Sequence, residues 1–120
     1  MSPGKVDLAE KLSLFDERWS PKIVGEMNGK HVKLVKLLGE FVCRHHDAAD
    51  ELFLVVKGRF RMDFRDREKW IEVGEFVALP RGVGRRPLAE EEAHVMLFEP
   101  ASTVKGSAGG GMTMAELDRV

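Results

Sequence analysis

The chain has 120 residues, of which 43% are hydrophobic and 32% charged, and its formal net charge at pH 7 is −1. This composition excludes global disorder and predicts a single globular domain, and the balanced charge excludes a general nucleic-acid-binding surface. The single cysteine excludes an internal disulfide, and no apolar run reaches the roughly 20 residues of a membrane span, so we expect a cytoplasmic protein with neither nucleic-acid nor membrane partners.

Residues 1–20 are expected to form an N-terminal helical segment. The pattern from Asp7 to Phe15 predicts a short amphipathic helix, with Asp7 as its N-cap and Leu8, Leu12 and Phe15 on one apolar stripe. Because a helix this short is not stable alone, we expect it to pack across the main body or against a partner subunit.

A β-hairpin is predicted next, from Lys22–Met27 and Lys30–Leu38 joined by Asn28-Gly29. Asn-Gly favours a type I′ turn, in which both central residues need a positive φ. Both faces of the second strand mix apolar and charged side chains, which predicts a strand near an edge of the sheet or at a subunit contact. If the chain has a subunit contact, we expect it at this hairpin and the N-terminal segment.

Further short strands follow at Phe41–His46, Glu51–Lys57, Arg59–Arg65, Lys69–Val73, Phe76–Leu79, Arg85–Leu88 and Ala93–Glu99. The acidic run Glu90–Glu92 is interpreted as the turn between the last two. Strict alternation in Arg59–Arg65 predicts that Phe60, Met62 and Phe64 face the core and the charged residues face water. Short strands with regular turns predict an all-β sandwich or barrel over residues 21–100.

The last stretch, residues 101–120, loses the strand pattern and is expected to be a flexible C-terminal arm. Gly109–Gly111 has the composition of a linker. Thr113 to Arg119 predicts one or two helical turns, with Thr113 as the cap and Glu116 at the capping-box position.

Two spaced motifs mark the central part of the chain. The first contains Gly39, His46, Glu51 and Gly58, and the second contains Gly74, Pro80 and Gly82. Together they resemble the paired motifs of the cupin superfamily of small jelly-roll β-barrels, over residues 22–100. The phrases DELFLVVKG and GEFVALPRGV are similar to those of small single-domain bacterial cupins of the mannose-6-phosphate-isomerase-like group. The resemblance implies an all-β cupin jelly-roll barrel with a short N-terminal helix, and a homodimer.

The chain departs from the cupin motifs at the metal-binding positions. Arg44 and Arg85 stand where the family has histidines, and Ala89 stands where it has asparagine, so that only His46 and Glu51 remain of four expected positions. A divalent ion in such a barrel takes about three imidazoles and a carboxylate, and a guanidinium cannot be a ligand. We therefore expect no catalytic metal, with one or both arginines supplying positive charge opposite Glu51.

The same positions define a candidate ligand site in the barrel, formed by Arg44, His46, Glu51 and Arg85. Strand alternation puts Arg44 and His46 on one inward face. Arginine matches carboxylate and phosphate geometry, so we expect a small anionic ligand; a satisfied polar cluster with no ligand has about equal weight. His46 and Glu51 also have the composition of an acid–base pair, which leaves open whether the protein is an enzyme.

The alternative is a metal-dependent cupin enzyme with a depleted ligand set. A bulge that turns His45 inward would let His45, His46 and Glu51 hold Mn, Fe, Ni or Zn. The resemblance then implies an isomerase or oxygenase acting on a substrate like a sugar phosphate. Elsewhere, His94 alternates with Met96 and is interpreted as a packed or interfacial imidazole rather than a ligand.

Overall fold

The computed structural model describes residues 4–40, 50–100 and 118–120, and most of its regular structure is antiparallel strand. The helix in these ranges, α1, spans Leu8–Leu12. The strands in chain order are β1 Lys22–Met27, β2 Lys30–Glu40, β3 Glu51–Lys57, β4 Arg59–Asp63, β5 Glu68–Glu72, β6 Phe76–Leu79, β7 Arg86–Pro100 and β8 Asp118–Arg119. The all-β prediction is confirmed. Within the described ranges, no helix has the length and apolar character required to cross a membrane.

Strand β7 is the centre of the sheet. Along one edge it pairs with β2, from Lys30 opposite Pro100 to Glu40 opposite Leu88. Along its other edge the later residues of β7 pair with β3 and the first residues pair with β4. Strands β6 and β5 extend from β3 and β4, and β1 and β8 extend from β2. One apolar cluster with side chains from all of β2 to β7 fills the interior.

The predicted hairpin is confirmed, with Asn28 and Gly29 at φ values of 52° and 73° in the turn between β1 and β2. Strand β2 is bonded on both sides, to β1 and β7, so it is not itself an edge strand, although only β1 and the two-residue β8 lie between it and the edge of the sheet. Its two buried lysines, Lys33 and Lys36, tolerate this position because each donates a hydrogen bond. Lys33 donates to the Glu99 carboxylate, and the Nζ of Lys36 donates to the Phe15 carbonyl oxygen at 2.6 Å.

The prediction of a turn at Glu90–Glu92 is wrong, because these residues lie within β7. Strand β7 continues through Glu90–Glu92, where the register shifts from Leu37 opposite Ala93 to Gly39 opposite Ala89. The extra residues form a bulge, so β7 accommodates the glutamates without ending. Ala89 and Ala93 on either side are fully buried.

The core alternation of β4 is confirmed, since Phe60 and Met62 have no exposed surface and Phe64 packs against the same cluster. On the outer face of the sheet, α1 packs against β2 of its own chain through Leu12 and Leu34, with Phe15 beside them. The helix begins at the predicted cap, where the Asp7 carboxylate accepts from the backbone N–H of Glu10 at 3.2 Å. It ends at Leu12, earlier than predicted.

The last residues of the chain are held by β1. Strand β8 pairs with β1 in parallel, with Lys22 opposite Asp118 and Ile23 opposite Arg119. The prediction of helical turns up to Arg119 is wrong at this end, because a strand partner was available. The glycine run and Thr113 lie outside the described residues.

Candidate functional site

Glu51 and Arg85 are brought together by the topology of the sheet. Glu51 is the first residue of β3, and alternation places it on the same face as Val55, which belongs to the core. Arg85 directly precedes β7 and follows a turn in which Gly82 has a φ of 81°. That left-handed conformation favours glycine, and it lets the chain reverse towards the start of β3.

The two side chains form a buried ion pair. The Nη1 of Arg85 donates to the Oε1 of Glu51, and the exposed fractions of the two side chains are 3% and 9%. Arg85 also donates from Nε to the Val83 carbonyl oxygen at 2.9 Å and from Nη2 to that of Pro80 at 3.4 Å. All three guanidinium nitrogens are therefore used within the fold, and the buried carboxylate of Glu51 is neutralised.

Arg44, His46 and the alternative ligand His45 lie outside the described residues, between positions 41 and 49. Of the four predicted pocket residues, the structure therefore shows the relation of Glu51 to Arg85 only.

A pocket of about 930 Å³ lies beside Arg85. The loop after β4 forms one wall, and the end of β6 with the loop before β7 forms the other. The lining residues are Asp63, Phe64, Arg65, Asp66, Arg67, Lys69, Val77, Ala78, Leu79, Pro80, Gly82, Val83, Gly84, Arg85 and Arg86. Among the described residues, this lining combines an apolar surface with five cationic side chains and two carboxylates, which favours a positive field in the pocket.

The cations of the lining differ in whether they are paired. Arg86 lies 3.4 Å from a carboxylate oxygen of Asp63, and Arg67 makes an exposed pair with Asp66 at 3.7 Å. Arg65 and Lys69 are exposed and make no ion pair with the part of the chain that the structure describes. Neither was predicted from the sequence as a site residue.

Asp63 is the acidic corner of this pocket. Its carboxylate accepts two hydrogen bonds from the Arg61 guanidinium, at 2.7 and 3.0 Å. The Arg61 hydrogen bonds, helped by Arg86, lower the pKa of Asp63 below its usual 3.8, so the group is ionised at neutral pH. Since its negative charge is already shared by two arginines, Asp63 does not cancel the charge of the remaining cations.

A second buried ion pair lies on the interior face, and sequence analysis missed it too. Lys33 and Glu99 are 1% and 5% exposed, and Nζ of Lys33 donates to Oε1 of Glu99. Leu52 on β3 is opposite Phe98 on β7, so continuation of that register places Glu51 and Glu99 at neighbouring positions on one face. The signal was present, because Lys33 alternates with the core residues Val35 and Leu37, but its partner is 66 residues away.

His31 completes this second group. It lies opposite Glu99 on the neighbouring strand and is 2% exposed. Its Nδ1 has no hydrogen-bond partner among the described residues, and its Nε2 is 3.7 Å from a carboxylate oxygen of Glu26. Burial, reinforced by the charge of Lys33, lowers the pKa of His31 below its usual 6.5, so the imidazole is neutral at neutral pH.

Known proteins that resemble this chain identify its fold. No family model matches the chain. The uncharacterized protein YdbB of Bacillus subtilis is 33% identical over 64 residues, which are 52% of this chain and 57% of YdbB, so the match spans little more than half of that relative.

Among the solved structures that this chain resembles, two examples match over more than nine-tenths of their own length. A cupin-2 domain containing protein from Shewanella frigidimarina is 41% identical, with a TM-score of 0.76 over 79% of this chain and 93% of that one. Protein NMB1881 from Neisseria meningitidis is 31% identical, with a TM-score of 0.74 over 81% of this chain and 99% of that one. The expectation of an all-β jelly-roll fold is confirmed by these neighbours; they do not bear on the mannose-6-phosphate-isomerase-like group specifically.

Proposed function

The chain belongs to the cupin superfamily, and on that basis we propose that it is a small-molecule-binding cupin whose barrel takes an anionic ligand without a catalytic metal. The observation that carries this proposal is the buried pair of Arg85 and Glu51. Glu51 stands at a metal-ligand position of the family motif, and here its oxygen accepts from a guanidinium.

The donor set of the described residues does not fit a divalent metal. A guanidinium cannot act as a ligand, and it would repel a cation at contact distance. Within residues 4–40, 50–100 and 118–120, no group of three His, Cys, Asp or Glu side chains is placed to hold a metal ion. Arg85 therefore supplies the positive charge that stabilises Glu51, and no step of the function is assigned to a metal.

The pocket beside Arg85 supports binding of an organic anion. Its volume of about 930 Å³ is within the range of small-molecule sites. Its cationic side chains attract an anion, and arginine recognises carboxylate and phosphate groups through paired donors. In the proposed function Arg85 and Glu51 hold the pocket wall in place, and Arg44 and His46 are expected to contribute from the neighbouring segment.

Metal binding and anion binding can be tested separately on the full chain. The wild type, purified without chelator and offered Mn²⁺, Fe²⁺, Ni²⁺ and Zn²⁺ in turn, is expected to bind none stoichiometrically in elemental analysis. The variant Arg44→His/Arg85→His should gain stoichiometric binding, because it restores the imidazoles of the family motif. Stoichiometric metal in the wild type that is lost in Glu51→Gln would overturn the proposal and favour the metal-dependent alternative.

Anion binding is measured by thermal shift with citrate, inorganic phosphate and organic acids at constant ionic strength. A ligand present at a hundred times its Kd should stabilise the fold by about 2.7 kcal/mol. The absence of any anion-dependent stabilisation would contradict the proposed function.

We also propose that the protein is a homodimer. Met27 at the tip of the hairpin and Leu14 after α1 are both 58% exposed, and Val6 is 44% exposed, in the two segments where the sequence predicted a subunit contact. Light scattering should give a dimer mass for the wild type and a monomer mass for Leu14→Lys/Met27→Lys, while Val73→Lys, at another exposed apolar residue, should stay dimeric. A monomeric wild type would refute this assembly.

A further inference from the structure

The charge that an incoming anion meets is not that of Arg85. The guanidinium of Arg85 is committed to Glu51 and to the carbonyl oxygens of Val83 and Pro80. Displacing Glu51 would break a buried, charge-assisted hydrogen bond, which is costly. The anion-recognising group must therefore be elsewhere in the pocket.

Arg65 and Lys69 are the cations that remain available on the described lining. Lys69 lies opposite Met62 and two residues before the buried Ile71, so alternation places it on the inward face of β5, beyond the end of the core. Arg65 lies in the turn closed by the bond from the Phe64 N–H to the Arg67 carbonyl oxygen at 2.7 Å. Both side chains line the pocket at its exposed end.

The rest of the lining is largely apolar. Phe64 and Val77 are half-buried and pack against the core cluster, Leu79 belongs to that cluster, and Val83 is half-buried in the loop before β7. A small inorganic ion would leave this surface and most of the 930 Å³ unfilled. Contact with an apolar body would remove it from water, which is favourable.

We infer that the ligand is an amphiphilic organic acid. Its carboxylate or phosphate monoester binds Arg65 and Lys69 at the rim, and its apolar body lies against Phe64, Val77 and Val83. Arg85 and Glu51 act as positioning residues that hold the loop before β7 in place. This inference rests on the proposed function and adds to it the class of ligand and the residues that recognise the charge.

The test is calorimetric titration of the full-length protein with 4-phenylbutyrate, which has both a charge and an apolar body. Two matched probes each lack one part: 4-phenylbutyramide lacks the charge and acetate lacks the body. We expect 4-phenylbutyrate to bind about tenfold or more tightly than either probe, because a charge-assisted hydrogen bond and the burial of the ring each contribute.

Variants assign the two parts of the ligand to their residues. Arg65→Gln/Lys69→Gln should raise the Kd of 4-phenylbutyrate about tenfold and leave that of the amide unchanged. Val83→Ser should weaken 4-phenylbutyrate but not acetate. Lys5→Gln/Lys57→Gln is the charge-matched control, since both lysines are exposed and neither lines the pocket; it should bind like the wild type.

The possible failures are distinguishable. If citrate or phosphate binds but 4-phenylbutyrate does not, the ligand class is wrong. If Arg65→Gln/Lys69→Gln binds 4-phenylbutyrate like the wild type, the assignment of Arg65 and Lys69 is wrong. In both cases the anion-binding function stands. If Lys5→Gln/Lys57→Gln weakens binding as much as Arg65→Gln/Lys69→Gln does, general electrostatic attraction replaces the assigned site. If no anion binds, both this inference and the proposed function fail.

Discussion

Replacement of Arg85 by methionine is the most direct test of the ion pair at the base of the pocket. Arg85→Met keeps a long apolar side chain and removes the guanidinium, so the buried Glu51 loses its ion pair with Arg85. Breaking a buried pair from one side costs about 3–5 kcal/mol. For a domain of this size that is a fall in Tm of roughly 12–20 °C, since each kcal/mol shifts Tm by about 4 °C.

Adding Glu51→Leu to Arg85→Met separates the effect of the charge on Glu51 from the effect of the changed packing. In Arg85→Met/Glu51→Leu both charges are absent, and substitution of a buried ion pair by apolar residues is often neutral. The carbonyl oxygens that lose Arg85 belong to Pro80, which is exposed, and Val83, which is half-buried, so water can replace the donor. We therefore expect the double variant to recover most of the stability lost by Arg85→Met.

Urea unfolding is the appropriate assay, because urea is uncharged and does not screen the pair. The four proteins of the cycle should unfold with similar m-values, and the coupling energy between positions 51 and 85 should be about 3 kcal/mol. If the two substitutions are additive, Arg85 does not neutralise Glu51 and the reasoning is refuted.

Three further predictions concern the rest of the barrel. Burial holds the pKa of His31 below 6.5, so the stability contributed by its neutral form is present above pH 6.5 and lost as the pH falls. The urea midpoint of His31→Leu should therefore fall less than that of the wild type between about pH 7 and pH 5. An equal fall of the two midpoints would contradict this. Arg61 holds the pKa of Asp63 below 3.8, so the stability contributed by the ionised carboxylate is present above pH 3.8 and lost below it. Asp63→Asn should therefore lower the free energy of unfolding by about 1 kcal/mol at neutral pH and not change it near pH 2. A loss of stability that persists in acid would rule out the charge as its origin. Gly58 and Gly74 have similar φ values of 76° and 84°, but an added Cβ would lie 2.9 Å from a carbonyl oxygen of β7 at Gly58 and in open space at Gly74. Chemical denaturation should show that the free energy of unfolding falls by about 3 kcal/mol in Gly58→Ala and by about 1 kcal/mol in Gly74→Ala. Equal losses would show that the backbone moves to relieve the close contact at Gly58.

The parts of the fold that local chemistry decides were predictable from the sequence. The Asp7 cap, the Asn28-Gly29 turn and the alternation through Phe60 and Met62 each depend on a few neighbouring residues, and all three are confirmed. The continuity of β7 was not predictable, because Glu90–Glu92 has the composition of a turn. Whether such a run becomes a turn or a bulge is decided by the register of β2, which is more than 50 residues away in the chain.

The same limit applies to the site. Glu51 and Arg85 were found because the family motifs mark their positions, although only the structure shows that they pair. Arg65 was missed because strand alternation made it a solvent-facing residue of a longer β4. The strand in fact ends at Asp63, and the turn that follows takes Arg65 to the pocket. Lys33 was missed because its charge is compensated by Glu99, a partner that no local pattern identifies.

The central position of β7 also governs how the chain reaches its native state. Strand β2 is complete early in synthesis, yet its partner on one side spans residues up to Pro100, so Lys30 pairs with a residue 70 positions later. Such non-local pairing requires a long loop to close, and the entropy is lost before the favourable contacts form. Domains of this kind therefore fold in about milliseconds to seconds. Until β7 leaves the ribosome, β2, β3 and β4 expose unpaired edges. The nascent chain is therefore most vulnerable to aggregation during this interval, and substitutions that weaken the β2–β7 pairing should reduce the yield of folded protein more than their effect on equilibrium stability implies.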